Sequence, residues 1–114
     1  MLINKTADKL VFAFLSKIKN GFLEITTHDG KILKFGDPDQ SLKANIKIKN
    51  PNLNYNLIRG GSIGFAESYM RGEFETDNLS DLIELTARNI QLIYKFSGLL
   101  DLPVINFIKN KIIK

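Results

Sequence analysis

The sequence has no cysteine, no tryptophan, a single histidine and only three prolines in 114 residues. Without cysteine there is no disulfide framework and no thiolate nucleophile. With one histidine besides, the usual nitrogen and sulfur donors of a transition-metal centre are missing. That histidine, His28, reads as an exposed residue beside a turn. No stretch approaches the roughly 20 apolar residues that span a bilayer as a helix. The apolar run at residues 10–15 is six residues long, at the short limit of a secretory signal core. Lys17 and Lys19 follow it at once, without a small-residue cleavage site. These absences point to a cytoplasmic chain, at most peripheral at the inner membrane face.

What is present suffices for one core. Apolar residues make up 44% of the chain, eight of them Phe, and the length is that of one domain. The formal net charge of +4 is uneven. Residues 1–50 carry nine Lys against five acids, residues 51–90 three Arg against six acids, and residues 91–114 four Lys against one acid. The basic ends suit anionic headgroups, and equally suit a solvated polar face. Because the lysines are scattered and not interleaved with exposed aromatics, nucleic acid is not an expected partner.

Residues 8–20 read as a helix with Leu10, Val11, Phe14, Leu15 and Ile18 on one face, ended by Asn20-Gly21. Residues 22–27 and 31–35 alternate as two strands around Asp29-Gly30, a hairpin signal in which both turn residues take positive φ. Residues 44–49 alternate again, with Ala44, Ile46 and Ile48 inward and Asn45, Lys47 and Lys49 outward. A short helix over residues 53–59 stops at Gly60-Gly61, and Ser62 can cap another that Gly72 ends. Residues 73–75 fit a short last strand. Asp77 or Asn78 caps a long helix over residues 79–96 with two apolar stripes: Leu79, Leu82, Ile83, Ile90 and Ile93, then Leu85, Leu92 and Phe96. The second stripe fits either a well-buried helix or a surface for lipid or a partner. Beyond Gly98, Pro103 can open a basic amphipathic helix carrying Ile105, Ile108, Lys109, Lys111 and Ile112, suited to a membrane surface, a partner or the domain itself.

Catalytic constellations are weak. Glu67, Glu73, Glu75 and Asp77 cluster in sequence, but a helix cap and an exposed strand face account for them. A glycine-rich turn before a helix can present N–H groups to a phosphate, so Arg59 and Ser62 are the candidates for a headgroup contact. The same glycines serve a tight helix–helix turn.

The stretch from Gly60 to Leu82 is the most distinctive. Gly61, Ser62, Gly64, Glu67, Tyr69, Gly72 and Phe74, followed by an acidic cap and an L-x-x-L helix, resemble the N-terminal region of cyclopropane-fatty-acyl-phospholipid synthases, a family of S-adenosylmethionine-dependent methyltransferases. The hairpin and the strand at residues 44–49 extend the resemblance over about residues 20–90. It implies a small, sterol-carrier-like α+β domain that engages lipid or membrane and contributes to assembly. The family's chemistry lies in a Rossmann-like domain that has no counterpart in this sequence, so neither catalysis nor a cofactor is expected of this chain.

The expectation is therefore an α+β domain over residues 1–98, a small antiparallel sheet with helices packed on one face, and a basic helix over residues 99–114 that links to a further domain or binds a surface. The favoured function is non-catalytic lipid or membrane engagement beside a phospholipid-modifying methyltransferase. The alternatives are an assembly module (a homodimer, or a dock for a methyltransferase domain) and a free-standing lipid carrier with an internal cavity.

Overall fold

A computed structural model describes residues 2–100. The expected terminal helix, with Ile105, Ile108, Lys109, Lys111 and Ile112, lies outside the described residues. In chain order the elements are α1 (Leu2–Leu15), β1 (Phe22–Thr26), β2 (Ile32–Gly36), β3 (Lys43–Ile48), α2 (Leu53–Met70), β4 (Phe74–Glu75), α3 (Leu79–Arg88) and α4 (Ile90–Leu100). The class is α+β.

The hairpin forms where the sequence places it, by a different turn. Gly30 has φ 89°, and Asp29 is not left-handed. Thr27 N–H donates to the Lys31 carbonyl at 2.8 Å and Gly30 N–H to the Thr27 carbonyl at 3.0 Å. This is a three-residue loop closed by a left-handed glycine, and it needs only one positive φ. The Thr27 hydroxyl also donates to the Asp29 carboxylate.

The sheet order is β2-β1-β3-β4, and here the all-antiparallel expectation is corrected. β1 pairs antiparallel with β2 and β3 with β4, but β1 and β3 run parallel, Leu23 opposite Ala44 and Ile25 opposite Ile46. Parallel neighbours need a long connection, and β2 with its flanking loops supplies it. Residues 37–42 pass the start of β1 from one side to the other. Phe22 N–H donates to the Leu42 carbonyl and Asp37 N–H to the Gly21 carbonyl. The crossing requires glycine: a Cβ on Gly36 (φ 85°) would strike the Gly21 carbonyl, and one on Gly21 would strike the Leu85 side chain.

One sheet face is apolar and covered. Leu23, Ile25, Ala44, Ile46, Ile48 and Phe74 of the sheet are buried there with Ile18, Leu53, Leu82 and Leu85 from the covering side. Lys43, Lys47 and Lys34 point outward and are exposed. At about 25 cal/mol per Å² of apolar area buried, this one-sided sheet is the main source of stability.

Two helices depart from expectation. α1 ends at Leu15, earlier than residue 20, and a short turn (Lys17 N–H to Phe14 carbonyl, Ile18 N–H to Leu15 carbonyl) carries Ile18 into the core. Asn20, not Gly21, takes the left-handed conformation, at φ 61°. The helix expected over residues 79–96 breaks at Asn89 (φ −113°, ψ 26°) into α3 and α4. The cause is tertiary. The Asn89 amide donates to the Lys19 carbonyl at 2.9 Å and to the Leu85 carbonyl at 3.0 Å, while its oxygen accepts from Lys19 N–H at 2.8 Å. The side chain thus anchors the α3–α4 junction to the end of α1.

Candidate functional site

Between the apolar sheet face and the helices lies a half-open cavity of about 400 Å³. Leu23, Ile25, Ile46 and Ile48 form its floor, with walls from α1 (Val11, Phe14), α2 (Leu57, Phe65), α3 (Leu82, Leu85) and α4 (Leu92, Ile93, Phe96). An apolar cavity of roughly 150 Å³ already accepts benzene, and ligand pockets begin at about 300 Å³. A sealed dry void of 400 Å³ would cost about 10 kcal/mol at about 24 cal/mol per Å³. That equals a typical domain's whole stability, so the opening is a physical requirement unless something fills the space. The lining residues Ile83 and Ile90 are 59% and 38% exposed, which places them at the rim.

Among the described residues the wall carries no charged side chain, and its polar side chains are turned to the protein. Asn54, 4% exposed, donates to the Asp8 carboxylate at 2.9 Å. The Thr86 hydroxyl donates to the Leu82 carbonyl at 2.9 Å. Asn89 spends its amide on Lys19 and Leu85, as described above. Such a surface offers dispersion and burial rather than directional recognition, and it suits hydrocarbon.

The two apolar stripes read from residues 79–96 meet in this cavity. Leu85, Leu92 and Phe96 line it, and so do Leu82, Ile83, Ile90 and Ile93 of the other stripe. The break at Asn89 re-aims the second half of the pattern, so the stripes converge. Phe14 meets Phe96 in a tilted aromatic contact, 4.4 Å between ring centroids with 58° between the planes, and closes the side between α1 and α4. Periodicity marked Phe14 as apolar, but nothing in the sequence pairs it with Phe96.

The motif Gly61 to Phe74 sits at one end of the core and builds structure. Gly61 (φ 60°, ψ −140°) kinks α2 between its two halves. Gly64 is buried where the halves meet: a Cβ there would lie 3.0 Å from the Asn56 carbonyl oxygen. Gly72 (φ 73°) ends α2 in a Schellman motif, with Gly72 N–H to the Tyr69 carbonyl and Glu73 N–H to the Ser68 carbonyl. Phe74 is 1% exposed and packs against Phe65 at 4.8 Å and Tyr69 at 5.5 Å. Glu67 is exposed and lies 4.0 Å from Arg71. Arg59 is exposed at the end of the first half of α2. The side chain of Ser62 lies outside the described residues.

Glu73, which the sequence places on an exposed strand face, is instead a junction. Its carboxylate accepts from Arg71 Nε at 2.9 Å and Asn56 Nδ2 at 3.0 Å. Its carbonyl accepts from Lys49 and Asn50 N–H. The Arg71 guanidinium holds the Glu73 carboxyl below the usual carboxylate value, with partial burial opposing and Ser68 and Asn56 adding to the lowering. Ser68 is fully buried and close enough to contribute, yet its hydroxyl meets no partner at hydrogen-bond geometry. Asn78, not Asp77, caps α3, accepting from Asp81 N–H at 3.1 Å. Asp77 binds Asn45 of β3 through its carboxylate and its N–H.

Among the described residues, no His, Cys, Asp and Glu side chains gather as a metal-binding group, and no helix is long and apolar enough to cross a membrane. No curated protein and no solved structure matches the chain. Residues 10–95, from α1 into α4 and including nearly every cavity wall, match a domain of unknown function, DUF7884, and the chain belongs to that family.

Proposed function

We propose that this domain is a non-catalytic lipid-engaging module in which the cavity holds an acyl chain. The observation that carries this reading is the 400 Å³ apolar cavity with an uncharged wall and a rim at Ile83 and Ile90. The resemblance of residues 60–82 to cyclopropane-fatty-acyl-phospholipid synthases supports a phospholipid context, in which a separate methyltransferase domain would use S-adenosylmethionine. Displacement of a polyene fatty acid, whose fluorescence rises on leaving water, tests the cavity. Co-sedimentation with anionic phospholipid vesicles at low and high salt tests membrane engagement. Saturable probe binding lost in Leu92→Glu would support the reading. Binding neither to the probe nor to vesicles would sink it.

The exposure of Ile83 (59%) and Tyr94 (64%) on α3 and α4 favours the assembly reading as the alternative. A methyltransferase domain or a second copy of the chain would then cover these residues. A mass by light scattering that rises with concentration, in a protein that takes up no probe, would select it.

A further inference from the structure

We infer that α4 is a hinged lid, and that a hydrocarbon chain enters the cavity through the seam between α1 and α4, its polar head left outside. This rests on the reading of the cavity as an acyl site. Three observations carry it.

First, the described part of α4 is held only by half-buried side chains, Leu92 against the core and Phe96 against Phe14. Among residues 90–96 none is buried, although Leu92, Ile93 and Phe96 face the cavity. α3 carries the same kind of apolar pattern and buries Leu82 and Leu85 to 4% exposure. A helical stretch such as residues 90–96, with no buried side chain among those described, belongs to the low-stability part of a fold.

Second, the break at Asn89 gives α4 a fixed pivot. Asn89 is tied to Lys19 and Leu85 by its side chain, so the junction stays on the body and serves as the pivot for residues 90–96. Helix ends that absorb a backbone change are the usual sites of hinge motion.

Third, among the described residues the α4 wall meets α1 through an aromatic contact, Phe14 against Phe96, at 4.4 Å. An aromatic pair adds only a little beyond its burial, small enough to open often. The wall behind it has no charge and its polar groups are already engaged. A chain can slide past it, whereas a charged head would find no partner there.

The natural absence of cysteine makes the test specific. Phe14→Cys/Phe96→Cys, made in the full chain, is bridged with a short bis-thiol-reactive linker and compared with the same variant unbridged. The probe is the polyene fatty acid. Because Phe14 and Phe96 line the cavity, the reference for uptake is the unbridged form of the same variant. Bridged protein should take it up on the order of tenfold more slowly, because association that needs a conformational change slows when that change is blocked. Uptake by bridged protein at the unbridged rate would overturn the seam as portal. Failure of every form, the parent included, to bind probe would remove the acyl reading itself. The lid is then judged by amide hydrogen exchange without ligand. Faster exchange in α4 than in α3, slowed by the bridge, supports it. Equal exchange in the two helices overturns it.

Discussion

α3 and α4 are continuous in sequence and similar in apolar pattern, yet they do different work. α3 is capped by Asn78, buries Leu82 and Leu85, and completes the core under the sheet. α4 begins one residue after α3 ends, and no side chain described in it is buried. Leu92, Ile93 and Phe96 line the cavity only half-buried, whereas Leu82 and Leu85 border it from within the core. An amphipathic pattern therefore reports which face of a helix avoids water, not whether that face meets side chains or space. Here the two helices line one cavity with different degrees of burial, α3 from the core and α4 from nearer the surface.

The sharpest way to break this comparison is to truncate one leucine on each side of Asn89. Leu85→Ala should cost about 2–5 kcal/mol in urea unfolding, because it opens a hole among packed residues. Leu92→Ala should cost less than about 1 kcal/mol, since its side chain is only half-buried. Equal losses would mean that α4 is packed like α3. Asn89→Ala should cost about 1–3 kcal/mol, since it leaves the Lys19 backbone groups without their partner, and should speed amide exchange in α4 more than in α3.

The ends of α2 and α3 extend the contrast. α2 stops at Gly72 by a local signal, and Gly72→Ala should cost about 1–2 kcal/mol by forcing a Cβ into the left-handed region. α4 exchange should be untouched. α3 stops at Asn89 by a contact with a segment 70 residues earlier. The smallest effect is expected at Glu73. Its folded carboxyl titrates below its ordinary value, so its stabilisation is complete above about pH 4.3 and is lost as pH falls through the folded value. In unfolding measured across pH, the gap between parent and Glu73→Gln should narrow below about pH 4.3, while staying constant near neutrality.

Much of the fold was legible because local rules decided it. The alternation of Ala44, Ile46 and Ile48 gave the buried face of β3. Gly72 ended α2, and an acidic or amide residue at 77–78 capped α3. Asp29-Gly30 located the hairpin, although the turn type differed. The pairing of β1 with β3, the position of Glu73 and the meeting of Phe14 with Phe96 were not legible, because each joins residues far apart in the chain. The candidate residues Leu85, Leu92 and Phe96 were found as a stripe, but the cavity they line was not. Periodicity carries no information about volume.

The sequence by itself determined an α+β domain with one apolar core, no cysteine chemistry, and the places where strands turn and helices start or stop. These follow from side-chain period, caps and backbone freedom, all set within a few residues. Only the tertiary structure decided that the sheet is mixed, that one apolar helix becomes two at Asn89, and that the space beneath α4 stays open. Those outcomes depend on which distant groups meet: the crossing of residues 37–42 over Gly21, the capture of Asn89 by Lys19, and a floor of Leu23, Ile25, Ile46 and Ile48 that the helices cover without filling.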